Sequence, residues 1–243
     1  MDIKATHDNL LAELLMARTR PGRYGGSLEN RARLMLTIVA RVRDEVPDIL
    51  LTSRLWAYDY GVYPYSWGMD RDRPGELDLT ETIQLTKMLA SQGVRLLNIS
   101  GGNPYLLPHI DRPFDRPAKG VPIPTEHPLE GVARLFRAAR EIQQAIPDLV
   151  VMNTGYSWLR QFFPMAAAAN IRNGWTRIAG LGRMAFAYPD FARDVLEKGT
   201  ADIRKVCTTC SKCSELMRVA MAGCVTRDAA IYLPLYQKRC DGR

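Results

Sequence analysis

The sequence predicts an α/β fold of barrel type, with about five of the eight strands that a closed (β/α)8 plan needs. Three observations carry the prediction. Short apolar runs alternate with longer amphipathic ones. Two long stretches rich in Pro, Gly, Tyr and Asp each follow an apolar run, where barrel loops carry function. No repeat of fixed period competes with that pattern.

The chain opens inside a strand at residues 2–4. A helix follows over 28–46, where Leu34, Ile38 and Val42 recur at four-residue steps on one face. Residues 49–55 read as a buried strand, and a functional loop occupies 56–76. A helix over 78–91 opens on Asp or Thr caps, and a second strand pattern covers 94–99. The other long loop, 101–127, leads to a helix over 129–146 and a strand over 149–153. A helix over 157–171 and a strand over 177–181 complete the alternation, which implies a parallel sheet with crossover helices. The reading is thus a barrel that lacks its opening strands.

With 243 residues and 47% hydrophobic content, the chain can bury a substantial core. No apolar run reaches the length of a membrane span. Lys plus Arg number 33 against 26 Asp plus Glu, a net charge of +7 spread without long like-charge runs. With no basic stripe interleaved with aromatics, nucleic acid is not an expected partner. A phosphorylated cofactor or anionic substrate accounts for part of the excess. The absence of an export signal and the reduced cysteines point to the cytoplasm.

Four of the five cysteines form a C-x2-C-x2-C-x10-C pattern: Cys207, Cys210, Cys213 and Cys224. Three thiolates from one short loop plus a returning fourth suit an iron–sulfur cluster. Zinc more usually takes two separate C-x2-C knuckles, and zinc or unliganded thiols are the alternatives. Disulfides suit a chain of this size and context poorly. Cys240, near a polar terminus, reads as a spare thiol.

One segment is highly specific: Arg23-Tyr24-Gly25-Gly26-Ser27-Leu28-Glu29-Asn30-Arg31-Ala32-Arg33. It resembles the YGGSxENR block of the old yellow enzyme family, FMN-dependent NAD(P)H:flavin oxidoreductases built on a TIM barrel. On residue chemistry alone the block is a glycine turn followed by a Ser27 cap. Four more blocks follow in the family's order: Ser53-Arg54-Leu55, Asn98-Ile99-Ser100-Gly101-Gly102, Asn153-Thr154-Gly155 and Gly180-Leu181-Gly182-Arg183. Tyr188-Pro189-Asp190-Phe191 stands in place of the usual DPD. The cysteines extend the resemblance to the branch of 2,4-dienoyl-CoA reductase and trimethylamine dehydrogenase, which carry a 4Fe-4S cluster after the barrel at slightly wider spacings.

The resemblance implies FMN, a 4Fe-4S cluster and NAD(P)H as electron donor, acting on an activated alkene or related small molecule. Arg54 would face the electron-rich flavin, while Gly155, Gly182 and Arg183 would hold its phosphate. Lys4 and His7 align with the pair that polarises the substrate carbonyl. Asn9 stands where the family's proton-donating tyrosine would be, and an amide cannot replace a phenol. Tyr58, Tyr60, Tyr63 and Tyr65 crowd the next loop as substitutes or as ordinary packing. His109 reads as a solvated loop residue and His127 as structural. The domain division implied is 1–200 for the barrel portion and 201–243 for the cysteine segment. An N-terminal half-barrel partner or an electron-transfer protein is expected to complete the system. The competing expectation is a non-catalytic iron–sulfur or zinc-binding module that lacks flavin and needs a partner chain.

Overall fold

The computed structural model describes residues 1–241. Its frame is β1 (Asp2–Ala5), α1 (Leu10–Met16), α2 (Leu28–Glu45), β2 (Thr52–Trp56), α3 (Thr80–Ser91) and β3 (Leu96–Ser100). Then come α4 (Pro108–Asp111), α5 (Pro128–Ala145), β4 (Val150–Asn153), a 3-10 segment (Tyr156–Phe162), α6 (Phe163–Arg172) and β5 (Ile178–Ala179). The remaining helices are α7 (Arg183–Ala187), α8 (Phe191–Lys198), α9 (Lys212–Val219) and α10 (Ala229–Tyr236), with a π turn over Gln237–Asp241. The five strands form one parallel sheet in the order β1-β2-β3-β4-β5, so β1 and β5 are its edges. Among the described residues, no helix is long and apolar enough to cross a membrane.

Strand alternation divides the sheet into two faces. Ile3, Ala5, Leu55, Leu97, Ile99 and Val151 are buried in one core with Met35 and Val39 of α2, Leu85 and Leu89 of α3, and Leu135 and Ile142 of α5. The opposite face carries Lys4, Arg54, Asn98 and Met152, which stand in register across four strands. Lys4 is exposed and the other three are half-buried, as expected of the inner wall of an open barrel.

Three elements differ from the sequence expectation. The helix expected over 157–171 is divided: Arg160 has φ +51°, and Pro164 sits at the start of α6, where a missing N–H is tolerated. The last strand shrinks to two residues because β5 has one neighbour and runs directly into Gly180 and Gly182. Helix α1 occupies a stretch to which the sequence assigns no element. Asn9 caps it, accepting from Ala12 N at 3.1 Å while its Nδ2 donates to the Lys4 carbonyl at 2.8 Å.

The Tyr24–Arg31 block clasps three helices together. Ser27 caps α2 through the Asn30 N–H at 3.4 Å. The buried Arg31 donates to Gly26 O at 2.9 Å and Leu15 O at 2.6 Å, and pairs with Glu81 of α3, which Arg18 also holds. That network shapes the fold and lies away from the main cavity.

Candidate active site

A cavity of about 600 Å³ opens at the C-terminal ends of the strands. Each strand contributes: His7 follows β1, Arg54 sits at the middle of β2, Tyr105 follows β3, Thr154 and Gly155 follow β4, and Gly182 and Arg183 follow β5. The far wall is α9 with Cys213, Ser214, Met217 and Arg218. The parallel topology alone gathers these residues, since every strand points its carboxyl end the same way.

His7 and Asp8 both lie at positive φ, +58° and +53°, an unfavourable conformation for non-glycine residues. Two contacts with the loop after β3 hold them there. Asn103 Nδ2 donates to both Asp8 carboxylate oxygens at 2.7 and 2.6 Å. Asp111 Oδ1 stands 3.3 Å from His7 Nε2, close enough for charge pairing although not aligned as a hydrogen bond. Asp111 also faces Arg112 Nε, at 3.2 Å.

Arg54 Nε is buried without a hydrogen-bond partner among the described residues, an orphaned donor on the sheet's inner face. The two glycines of the cavity have different reasons to be glycine. Gly155 has φ +101°, and a Cβ there would meet Leu135 at 3.1 Å, so its own conformation and packing explain it. Gly182 has φ −81° and open space within 4 Å of a notional Cβ. Nothing in the chain requires a glycine at 182, whereas an anion lying close against the backbone would. Beside it, Arg183 Nη2 donates to Pro113 O at 2.7 Å. Burial lowers its guanidinium pKa, partly offset by Cys207 and Cys213 nearby. An orphaned donor, a bare glycine and a guanidinium in one cavity fit the oxygens and phosphate of FMN.

These positions bear on the remaining sequence expectations. Lys4 is exposed on an edge strand and does not line the cavity, so it is not paired with His7 there. Asn9 faces its own helix as a cap and also lies outside the lining. Of the loop tyrosines, Tyr58 is fully buried against Gly101, and burial drives its pKa upward. Tyr60 packs on Arg134 at 4.7 Å, and Tyr63 and Tyr65 are exposed. None of the four lines the cavity; the tyrosine that does is Tyr105, 70% exposed. His109 is half-buried and lines a different pocket, its pKa lowered by burial. His127 is structural, its Nδ1 capping α5 through Leu129 N at 3.2 Å.

Cys207, Cys210, Cys213 and Cys224 border one small cleft beside Arg183. Thr209 N donates to Cys207 Sγ at 3.4 Å, Arg227 N to Cys224 Sγ at 3.3 Å, and Thr226 Oγ1 lies 3.4 Å from Cys210 Sγ. Burial pushes the Cys207 and Cys213 thiols up. For Cys210 burial also acts upward, but hydrogen bonds from Thr226 and the Lys212 backbone outweigh it, and the net direction is down. Among the described residues, no three His, Cys, Asp or Glu side chains form a group that could hold a metal ion. The four cysteines thus border a common cleft without forming such a group, and the metal centre expected from their spacing is not shown. Cys240 is partly buried against the Leu216, Val225 and Tyr236 cluster rather than dangling from the terminus.

Comparison with known proteins agrees with the architecture. The chain superposes on an old yellow enzyme homologue from Zymomonas mobilis with TM-score 0.51 and 19% identity, covering 81% of this chain and 46% of that one. That likeness defines the fold: an α/β parallel sheet matching part of a TIM barrel. No family model matches the chain. Sequence relatives include a bilirubin reductase of Mediterraneibacter gnavus, 28% identical over 216 residues, covering 87% of this chain and 30% of the relative. An NADH:flavin oxidoreductase of Gibberella zeae is 26% identical over 156 residues, covering 63% of this chain and 33% of the relative. The chain thus spans about a third of the length of these curated relatives. The sequence relatives bear flavin oxidoreductase and reductase names, and the solved structure shows the fold alone.

Proposed function

We propose that the chain carries the cofactor-facing strands of an FMN-dependent NAD(P)H oxidoreductase that reduces an activated alkene or related small molecule. The observation that carries this reading is Gly182 beside Arg183, sharing a cavity with His7 and the orphaned Nε of Arg54. FMN, when bound, supplies hydride-transfer chemistry between NAD(P)H and the substrate. The chain's own residues do the rest. Gly182 lets the backbone approach the phosphate, and Arg183 adds a charge-assisted donor. Arg54 places positive charge and a free N–H against the electron-rich ring. His7 receives the substrate carbonyl, with Asp111 Oδ1 3.3 Å from its Nε2 to hold the ring in place. Tyr105 fills the role that Asn9 cannot, offering a phenolic proton from the cavity wall.

The finer reading places a 4Fe-4S cluster on Cys207, Cys210, Cys213 and Cys224, for one-electron traffic beside the flavin site. Four thiols bordering one cleft and backbone N–H groups directed at two of their sulfurs support it. On this reading residues 1–200 form the barrel portion and 201–243 the cluster segment, and a partner chain or domain completes the barrel.

The test is a fluorescence-quenching titration of FMN into the chain and into Gly182→Leu. A leucine at 182 meets no protein atom at its Cβ, so the fold is retained while the phosphate seat is filled. Saturable binding that weakens at least tenfold in the variant is expected. Equal binding, or none to either, overturns the reading.

A further inference from the structure

The cavity holds more positive charge than the proposed cofactor uses. Four arginines line it, Arg54, Arg112, Arg183 and Arg218, against a single carboxylate, Asp111. That carboxylate is already shared between His7 and Arg112. Arg54 and Arg183 serve the flavin in the reading above, on which this inference rests. Arg112 and Arg218 remain.

Helix α9 explains their placement. Ser214, Met217 and Arg218 fall at i, i+3 and i+4, one face of the helix, and all three line the cavity. Leu216, on another face, is fully buried in the C-terminal cluster and fixes the helix rotation. Across from that face, Arg112 is oriented at both ends of its guanidinium. Its Nε faces Asp111 at 3.2 Å and its Nη1 donates to Ser214 Oγ at 3.4 Å. Arg218 is exposed and makes no ion pair among the described residues. Two guanidinium groups converging on a cleft, one without a counter-charge, raise the local potential and favour a bound anion. The apolar members of the same wall, Tyr105, Phe186 and Met217, offer a surface for a flat hydrocarbon body.

We infer that Arg112 and Arg218, with Ser214, form a carboxylate subsite, so that the substrate of this cavity is an anionic unsaturated acid rather than a neutral enone. An oxyanion could also come from the cofactor's phosphate, and the experiment separates the two sources.

Calorimetry would compare cinnamate with its neutral analogue 4-phenyl-3-buten-2-one, using the chain both with and without added FMN. Cinnamate is expected to bind at least tenfold more tightly, the preference shrinking as salt is added. Arg218→Gln should erase the preference and Arg218→Glu reverse it, while FMN retained on gel filtration stays at the wild-type level. Arg218 is exposed, so both variants keep the fold. Equal affinity for the two probes, or a cinnamate preference untouched by both variants, overturns the subsite. Loss of FMN in the Arg218 variants also overturns it, assigning these arginines to the cofactor's phosphate. If the wild-type chain takes up no FMN, the oxidoreductase reading fails by itself. The two-probe comparison on the flavin-free chain still decides the carboxylate subsite.

Discussion

Asn9 offers the sharpest separation of a structural role from a catalytic one. It occupies the position at which a phenol would serve chemistry in the family resemblance, yet it caps α1 and ties that helix to the end of β1. Replacing it with alanine removes both contacts. The lost cap costs about 1 kcal/mol, and the lost bond to the Lys4 carbonyl roughly 0.5–1 kcal/mol more. At about 2–4 °C per kcal/mol for a chain of this size, the melting temperature should fall by roughly 3–8 °C. Asn9→Asp keeps the acceptor and loses only the donor, so it should lose about half as much. Asn9→Tyr should destabilise like alanine and bring no gain in turnover, because the side chain at 9 does not line the cavity. Differential scanning calorimetry on the three variants, with alkene-reduction assays on the last, reads all of this. An unchanged melting temperature for Asn9→Ala, or faster reduction by Asn9→Tyr, would refute the reasoning.

Other perturbations have equally definite expectations. Arg31→Ala strips donors from two backbone carbonyls and one partner from Glu81. It should cost about 3 kcal/mol, seen as a lower midpoint in urea unfolding. Tyr105→Phe should slow alkene reduction by about a hundredfold with FMN affinity unchanged, in single-turnover kinetics. Asp194 is held well below its ordinary value of 3.8, chiefly by Lys198 and then by Tyr188 and Lys205. A depressed carboxyl stabilises the fold above its unfolded pKa, and that contribution is lost as pH falls through the folded value. Melting temperature should therefore drop as pH falls below 3.8, with a shallower acid limb in Asp194→Asn.

The strand–helix alternation was legible because buried strands and amphipathic helices differ in period, and the five strands emerged at the four apolar runs and the opening residues 2–4. Arg54, His7, Gly155, Gly182 and Arg183 were legible through ordered short blocks, and the parallel topology brings them to one cavity. Lys4 shares the inner face with Arg54, as its place in the strand implies, but its exposure on an edge strand was not legible in the alignment. Asn9 was read as unable to donate a proton, and its capping role stayed hidden because it depends on α1, a short helix whose apolar residues show too little periodicity to announce it. Tyr105, Asp111 and Arg112 were hidden in a loop whose conformation rests on long-range contacts, such as Asn103 with Asp8. The signal for Ser214, Met217 and Arg218 was present as helical spacing, but the cysteines around it drew the reading toward a metal loop.

The proposed function puts a flavin in this cavity next to a cysteine-bound cluster. The most direct measurement is an absorbance spectrum of anaerobically purified protein, with released FMN, iron and acid-labile sulfide quantified. Stoichiometric FMN together with iron and sulfide is expected, with loss of the iron and sulfide in Cys213→Ser. Protein free of flavin, or flavin-bound protein with neither iron nor sulfide, would contradict it.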